Sequence, residues 1–287
     1  MNATTTPALY IVATPLGNLQ DITLRALEIL KNVDLIAAED TRHSRVLLQH
    51  YGITTSLIAL HEHNERAQSE TLLVRIEKGE SIALISDAGT PLISDPGYHL
   101  VCMAREKNIK VIPIPGPSAI IAALSVAGLP TDHFTFAGFL SAKDATRQKQ
   151  LDALKDVAHT LIFYEAPHRI LTTIKIMLKV FGHARQAVIA RELTKTFETI
   201  HADSLENLSL WLENDANQQR GEMVILVQGA EPQIDEMMTE AIRITQILLR
   251  ELPLKQAVKL AAEISGAKKN LLYEQALQLE KSSRQNP

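Results

Sequence analysis

Short apolar runs alternate with longer amphipathic segments through the first half of the chain. Apolar runs bounded by turn formers are typical of buried strands, and apolar residues at helical spacing predict helices that pack on one face. The predicted strands are 8–14, 35–40, 82–87 and 110–114. The predicted helices between them are 21–32, 41–51 and 95–108. This alternation indicates a largely parallel sheet with helices on its faces.

The pattern changes near residue 130, where the aromatic run HFTFAGF predicts a strand. Beyond it we expect a charged helix at 143–157 and strands at 160–164, 187–191, 197–202 and 223–228. The short separation between the second and third of these strands predicts an antiparallel hairpin. The sequence therefore predicts an α/β domain at 8–120 and an α+β domain at 121–230, with a boundary near 116–131.

Three helices without strands are predicted after Gly229, at 236–252, 254–266 and 267–279. Pro253 separates the first two, and Gly266 stands where the second must end. The last two helices have helix-turn-helix proportions. We expect a helical, helix-turn-helix-like extension at 235–287. A helical cap that only packs or dimerises fits the same pattern.

The tetrapeptide Leu-Ile-Ser-Asp occurs twice, at 84–87 and 92–95. The first copy ends a predicted strand, so Asp87 should lie at the carboxyl edge of the sheet, where ligands bind in open α/β sheets. The second copy is followed by Pro, so Asp95 is predicted to be the N-cap of a helix, as Asp21 is for the first helix. Asp95→Ala should then cost about 1 kcal/mol of stability, whereas Asp87→Ala should damage ligand binding.

The 287 residues are 46% hydrophobic and 22% charged, as in ordinary globular proteins. Cys102 is the only cysteine, which excludes an intramolecular disulfide and a cysteine-only metal site and fits a cytoplasmic protein. No apolar run reaches about 18 residues, so no membrane span is expected. The pair His61 and His63 lacks further ligands at suitable spacing, so no metal site is expected.

The net charge of −4 is unevenly distributed along the chain. Residues 241–287 contain eight lysines and arginines against four acidic residues, which leaves −8 for the rest of the chain. A basic end on an acidic body indicates a polyanionic partner such as nucleic acid. A solvated helix surface has the same composition and remains the alternative.

Each predicted strand of the first half ends in an unusual loop: ATPLGN, AEDTRH, SDAGTP and PIPGPSA. Because the carboxyl ends of parallel strands lie at one edge, these loops should form one ligand site. Neither the G-x-G-x-x-G pattern nor a P-loop occurs, so a dinucleotide is not expected. Glu39, Asp40 and Asp87 outnumber Arg42 in these loops, which favours a neutral or cationic ligand.

Charged residues also follow the strands of the second half, in FYEAPHR and ARELTKTFE. They are Glu165, His168, Arg169, Arg191, Glu192 and Lys195. These side chains should face the first domain across a cleft if the two halves pack edge to edge. Each one taken singly is typical of a surface ion pair.

Several stretches together resemble the tetrapyrrole-methylase-fold methyltransferases, which use S-adenosylmethionine. They are LYIVATPLGNLQDIT, AAEDTRHS, LISDAGTPLISDPG, IPGPSA, FYEAPHRI, ARELTKTFE and RGE. These stretches cover most of residues 8–230. Within the family they resemble the branch that methylates a cytidine ribose 2′-oxygen in the decoding centre of small-subunit ribosomal RNA. The segment after Glu231 resembles the helix-turn-helix extension of that branch.

The resemblance implies two α/β domains with S-adenosylmethionine in the cleft between them. It also implies a homodimer whose substrate is ribosomal RNA within the assembled small subunit. Carried over by motif, the cofactor-binding residues are Pro15, Leu16, Asp87, Gly89, Thr90, Ser118, Ala119, Tyr164 and Leu193. This chain departs from the wider family at Asp87, where Ser86-Asp87-Ala88 replaces Gly-Asp-Pro.

Methyl transfer requires alignment of the ribose oxygen, the methyl carbon and the sulfur, and a group that helps the hydroxyl lose its proton. The candidate catalytic residues are Asp40, Arg42, Glu165, Arg169, Glu192 and Lys195. Among them Arg42 and Arg169 are expected to hold phosphate or substrate, and Glu165 or Asp40 is expected nearest the nucleophile.

Two other functions fit parts of the pattern. The same fold methylates small tetrapyrroles, although a macrocycle does not require a basic helical extension. A non-enzymatic regulator would sense a ligand with its α/β body and bind duplex DNA with its C-terminal helices, without turnover.

Overall fold

The computed structural model describes residues 5–230 and 236–283. They form two compact units that divide after Ala230. The first unit contains two β-sheets, and the described part of the second contains helices only. The ends of the predicted extension, residue 235 and residues 284–287, lie outside the described residues.

The first sheet consists of five strands. They are β1 (Leu9–Val12), β2 (Leu35–Ala38), β3 (Leu57–Ala59), β4 (Ile82–Ile85) and β5 (Val111–Ile114). All pairings are parallel, in the order β3-β2-β4-β1-β5. The helices between them are α1 (Leu24–Asn32), α2 (Thr41–His50), α3 (Glu65–Glu77) and α4 (Tyr98–Glu106). The predicted parallel sheet is confirmed.

Helices cover both faces of this sheet because its strands are apolar on both sides. Alternate residues such as Tyr10 and Ile36 pack against α1 and α2, whereas Leu9 and Leu84 pack against α3 and α4. The sequence pattern missed β3, which has three residues, and α3, whose first turns are polar. Both elements are stabilised by burial against the neighbouring strand and helix rather than by a strong pattern of their own.

The second sheet follows with mixed strand directions. Its strands are β6 (Phe134–Phe139), β7 (Thr160–Glu165), β8 (Gln186–Arg191), β9 (Thr199–Ser204) and β10 (Met223–Val227). Their order is β6-β7-β10-β8-β9, in which only β6 and β7 pair in parallel. The helices are α5 (Ala119–Val126), α6 (Asp144–Asp152), α7 (Ile170–Phe181) and α8 (Leu205–Asn214). The predicted hairpin is confirmed as β8 and β9.

Helix α5 follows the first sheet in sequence but packs on the second. Its residues Ile120 and Ala123 lie in one core cluster with Ile162 of β7 and Val224 of β10. The other face of the second sheet packs against α6, α7 and α8. Leu16, in the loop after β1, also contacts the α5 cluster. The two sheets therefore share a packed boundary, and the loops after β1 and β5 lie along it.

The second unit consists of α9 (Glu236–Leu248), α10 (Leu254–Ser265) and α11 (Lys269–Ser283). Its core contains Ala241 of α9, Val258 of α10 and Leu272 of α11. Gly266 ends α10 in the left-handed conformation, with φ of 78°, and its amide donates to the Ala262 carbonyl oxygen at 2.9 Å. The predicted three helices and the predicted end of the second are confirmed.

The predicted cap of the first helix was wrong. Helix α1 begins at Leu24, and Thr23 is its N-cap, because the Thr23 hydroxyl oxygen accepts the Ala26 amide at 3.1 Å. Asp21 belongs instead to a short 3-10 turn that begins after Asn18. Both threonine and aspartate are favoured at the N-cap of a helix, so the sequence alone does not distinguish Asp21 from Thr23. The path of the loop after β1 determines which of them precedes the first helical turn.

Candidate active site

A cavity of about 400 Å³ opens where the carboxyl ends of the first sheet meet the second sheet. Loops after β1, β2, β4 and β5 form one wall, and residues of β6, β7, β8 and β10 with their flanking loops form the other. Its lining is Leu16, Glu39, Asp87, Ala88, Gly89, Thr90, Ile93, Ser94, Asp95, Ser118, Ala119, Phe139, Tyr164, Glu165, Ala166, Pro167, Ala190, Leu193, Glu222, Met223 and Val224.

The loop after β4 is fastened to the loops after β1 and β5. Thr14 and Gly89 exchange two backbone hydrogen bonds, of 2.8 and 3.0 Å. The Thr90 hydroxyl donates to the Pro117 carbonyl oxygen at 3.0 Å. Gly89 has a φ of +79°, and a Cβ there would lie 3.2 Å from a methyl carbon of Leu16. Glycine therefore allows this turn and leaves the cavity floor open to a ligand.

The predicted capping role of Asp95 was wrong. Helix α4 begins after Gly97, which has no side chain, and its first amides donate to a distant carboxylate. Glu65 Oε1 accepts from the amides of Gly97 at 3.0 Å and His99 at 2.8 Å. Because Glu65 of α3 satisfies these amides, the Asp95 side chain is free to line the cavity. The two copies of Leu-Ile-Ser-Asp thus both supply an aspartate to the same cavity.

The cavity is strongly acidic. Burial raises the pKa of Asp95 to about 6, and the nearby carboxylates of Glu39 and Asp87 add to the shift. Burial likewise raises the pKa of Glu39, with a further contribution from Asp87. The pKa of Tyr164 is raised to about 12 by burial and by Asp95. A cationic ligand would relieve these unfavourable charges.

The carboxylates of this wall are ordered by backbone contacts. Asp87 Oδ1 accepts the Asp40 amide at 3.1 Å, and the Asp87 amide donates to Glu39 Oε2 at 3.4 Å. The ends of β2 and β4 are thereby held together, side by side, as the strand order requires. These contacts place Glu39 and Asp87 beside Asp95 around the same part of the cavity.

Most of the residues predicted to bind the cofactor line this cavity. They are Leu16, Asp87, Gly89, Thr90, Ser118, Ala119, Tyr164 and Leu193. Pro15 is the exception: it is buried, and it directly precedes the lining residue Leu16 in the sequence. Tyr164 forms an aromatic wall with Phe136 and Phe139, with ring centroids 4.9 and 5.4 Å from its own.

Asp40 and Arg42 form an exposed ion pair beside the cavity rather than part of its lining. Asp40 Oδ1 accepts from the Arg42 backbone amide at 2.8 Å and from Nε at 3.1 Å, and Oδ2 accepts from the guanidinium at 2.7 Å. These hydrogen bonds from Arg42 hold the pKa of Asp40 far below its usual range. Asp40 is therefore a weak base and the N-cap of α2.

Glu165 lines the cavity, but its oxygens are already engaged. Oε1 accepts from the Ala166 amide at 2.7 Å and from Arg169 Nε at 2.8 Å, and Oε2 accepts the Thr173 hydroxyl. Arg147, almost completely buried, donates to the other side of the Thr173 hydroxyl at 3.0 Å. This network fixes the turn after β7, which carries the cavity residues Ala166 and Pro167.

Glu192 and Lys195 lie in the turn after β8, outside the lining. Lys195 Nζ is 2.9 Å from Glu192 Oε1 and 2.9 Å from Glu222 Oε2. Burial acts against both charges, but the hydrogen bonds between them lower the pKa of Glu192 and raise that of Lys195. Glu192 and Thr194 have positive φ, of 50° and 66°, on either side of Leu193. The strained turn aims Leu193 into the cavity.

This turn also fastens the second sheet to the first. The Asn18 amide donates to the Thr194 hydroxyl at 3.1 Å. A Cβ on Gly17 would lie 2.3 Å from Cγ of Lys195, so glycine allows the lysine stem to pass close to the loop after β1. The cavity is therefore bounded by loops that contact each other across the sheet boundary.

Two family models match the chain: Tetrapyrrole (Corrin/Porphyrin) Methylases over residues 8–209 and RsmI C-terminal HTH domain over residues 235–280. The chain belongs to the tetrapyrrole methylase family. Two relatives are named Ribosomal RNA small subunit methyltransferase I. That of Pseudomonas aeruginosa is 58% identical over 272 residues, covering 94% of this chain and 96% of the relative. That of Escherichia coli O157:H7 is 55% identical over 270 residues, covering 94% of each.

The solved structures of the family confirm the predicted fold. Uroporphyrin-III C-methyl transferase from Thermus thermophilus, complexed with S-adenyl homocysteine, aligns with a TM-score of 0.55. The alignment covers 77% of this chain and 97% of that chain at 16% identity. The shared part is the two-sheet methylase fold. The helix-turn-helix match beyond it distinguishes this chain's branch of the family.

The binding residues predicted from the sequence do not include several residues that line the cavity. Glu39 directly follows β2 and belongs to the loops that the sequence predicts to form one ligand site, although no motif marked it as a binding residue. Phe139 and Glu222 come from β6 and the approach to β10, whose neighbours are set by sheet order. Among the described residues, no cluster of metal-ligating side chains occurs. No described helix is long and apolar enough to cross a membrane.

Proposed function

We propose that this chain transfers a methyl group from S-adenosylmethionine to the ribose 2′-oxygen of a cytidine in small-subunit ribosomal RNA. The proposal rests on an acidic cavity in a methylase fold whose relatives, aligned over 94% of the chain, are named for ribosomal RNA methylation. We further propose a cytoplasmic homodimer that acts on the assembled small subunit. The half-exposed Ile121 and Val126 of α5 are suited to a subunit contact.

The cavity fits this methyl donor in shape and charge. S-adenosylmethionine supplies a methyl group on a positively charged sulfur. The Gly89 turn and the small side chains of Ser118 and Ala119 leave room for a bound molecule. Asp87, Glu39 and Asp95 complement a cation, and the described lining contains no lysine, arginine or histidine. Tyr164 and Leu193 supply an apolar surface on the opposite wall.

The predicted catalytic residues take supporting roles in this proposal. Glu165 and Arg169 position the turn after β7, because their charges pair with each other inside the cavity wall. Arg42, with 89% of its side chain exposed, lies at the rim of the site, where a phosphate could reach it. Lys195 and Glu192 hold the Leu193 turn against the loop after β1.

One labelling experiment tests the proposed function against its alternatives. The purified chain is incubated with methyl-labelled S-adenosylmethionine and, in parallel, naked ribosomal RNA, assembled small subunits, a tetrapyrrole or duplex DNA. We expect label in the small subunit, at a ribose oxygen. Label in the tetrapyrrole supports the macrocycle alternative, and tight DNA binding without transfer supports the regulator.

We expect Asp87→Ala to weaken binding of S-adenosylmethionine about tenfold, or about 1.4 kcal/mol. The reason is loss of one carboxylate from a cavity that holds a cation. Calorimetric titration should show a smaller loss for S-adenosylhomocysteine, whose sulfur is neutral. Asp132→Asn is the matched control, because Asp132 is an exposed aspartate outside the cavity. Equal losses for the two ligands contradict a role for the Asp87 charge.

We expect the double variant Lys268→Glu, Lys269→Glu to weaken small-subunit binding at least tenfold without changing cofactor affinity. Both lysines are exposed where α11 begins, so their reversal removes positive charge from the proposed RNA-binding unit. The matched control is Lys31→Glu, Lys78→Glu, an equal charge change at two exposed lysines at the ends of α1 and α3. Equal losses in the two double variants would mean that only net charge matters.

A further inference from the structure

Asp95 has no part in starting the helix that follows it. Glu65 accepts the amides at the start of α4, and the turn before Asp95 contains two non-glycine residues with positive φ, Leu92 at 74° and Ser94 at 69°. Such conformations cost free energy and persist where the surrounding structure imposes them, often at functional sites. The turn delivers the Asp95 carboxyl to the cavity wall.

The groups that face Asp95 come from every side of the cavity. Glu39 follows β2, Asp87 follows β4 and Tyr164 lies on β7, and each influences or is influenced by the Asp95 charge. The Ser86 hydroxyl acts in the opposite direction by lowering the pKa of Asp95, and it lies 3.3 Å from the Ala88 carbonyl oxygen. The further carboxylates of the lining are those of Glu165, paired with Arg169, and Glu222, paired with Lys195.

We propose that Asp95 is the group that accepts the proton of the ribose 2′-hydroxyl during methyl transfer, an inference that rests on the proposed function. The hydroxyl proton passes to an Asp95 oxygen. The ribose oxygen forms its bond to the methyl carbon, and the methyl–sulfur bond breaks with its electron pair remaining on sulfur. The cavity loses the sulfonium charge as Asp95 gains a proton, so its net charge is unchanged.

The change of charge gives this proton transfer its direction. With a cation in the cavity, the ionised form of Asp95 is favoured and the residue is ready to act as a base. When the sulfur becomes neutral, Asp95 is left beside Glu39 and Asp87 without a counter-ion, and its affinity for a proton rises. A base that strengthens as the reaction proceeds retains the proton it has accepted.

The other carboxylates are less suited to this role. Asp40 is paired with Arg42, and Glu192 is paired with Lys195, so the pKa of each carboxyl is lowered. Neither carboxylate belongs to the cavity lining. Glu165 is engaged by Arg169 and Thr173. Asp87 and Glu39 each accept a backbone amide that joins the ends of β4 and β2.

Proton exchange on ligand binding tests the inference without turnover. Near pH 6, calorimetry in buffers of different ionisation enthalpy should show that S-adenosylmethionine releases about half a proton more than S-adenosylhomocysteine when each binds the wild-type chain. Asp95→Asn should abolish this difference while binding both ligands. If Asp95→Asn does not fold, as judged by its thermal transition, Asp95→Ser is measured with the same expectation. A difference that persists in the folded variant overturns the inference.

Single-turnover methylation of small subunits, with saturating cofactor, supplies the second test. We expect the wild-type rate to rise with pH through an acidic limb, and Asp95→Asn to lower the plateau by about 10²- to 10⁴-fold and to remove that limb. Asp95→Glu should be slower than wild type but should retain the limb, and Asp132→Asn should match the wild type. A folded Asp95→Asn chain that keeps the wild-type rate and the acidic limb of the pH profile overturns this inference but leaves the proposed function unaffected. A wild-type chain that labels no small subunit overturns the proposed function, and the inference with it.

Discussion

Glu165→Ala is expected to lower the free energy of unfolding by about 3–5 kcal/mol, the largest loss of stability expected for any substitution in this chain. Glu165 is fully buried, and it accepts hydrogen bonds from Arg169, Thr173 and the Ala166 amide. Removing the carboxylate leaves the Arg169 guanidinium, itself only 16% exposed, without its counter-ion. Denaturant unfolding monitored by circular dichroism measures the loss.

The double variant Glu165→Ala, Arg169→Met is the control for this expectation. It removes both charges, so much of the lost stability should return relative to Glu165→Ala alone. A similar loss in the single and double variants would show that the cost comes from the cavity left by Glu165 rather than from the unpaired arginine. A loss below about 1 kcal/mol in the single variant contradicts the structural role of the pair.

Glu65→Ala is expected to lower the free energy of unfolding by about 2–4 kcal/mol, far more than Asp95→Ala. Glu65 is only 7% exposed, and its Oε1 accepts two backbone amides at the start of α4. Without it, two amides lose a charge-assisted acceptor, each worth about 1–2 kcal/mol. Thermal or denaturant unfolding of the two variants, measured side by side, gives the comparison.

Glu65→Gln separates the hydrogen bond from the charge. Its amide oxygen can still accept from Gly97 and His99, so it should recover at least half of the loss caused by Glu65→Ala. The opposite ranking, in which Asp95→Ala destabilises more than Glu65→Ala, would restore the capping role that the sequence predicted for Asp95.

The strands and helices that the sequence predicted best are those with strong local signals. The apolar runs of β1, β2 and β4 are largely buried on both faces, and such runs indicate a parallel sheet whatever surrounds them. Pro253 and Gly266 marked the limits of α10, because proline and glycine act on the backbone directly. Weak patterns such as those of β3 and α3 required neighbours to stabilise them.

The cavity wall that belongs to the first sheet could be predicted from the sequence, because the carboxyl ends of parallel strands lie next to each other. Loops that follow β1, β2, β4 and β5 converge because the strands are parallel, so Leu16, Asp87 and Ser118 could be placed together from motifs alone. The opposite wall depends on the strand order of the second sheet. That order places Tyr164 of β7 opposite Val224 of β10, which no local pattern reveals.

The sequence by itself determined the class of fold, the three helices of the C-terminal unit, and the acidic loops that converge on the cavity. Only the tertiary structure decided what each carboxylate does. Glu65 took the capping role expected of Asp95, because a cap can be supplied from 32 residues away. Glu165 is engaged by Arg169 and Thr173 within the wall. Local propensity sets where a charged residue can act, but long-range hydrogen bonds, which form only when the sheets are packed, determine which partner it has.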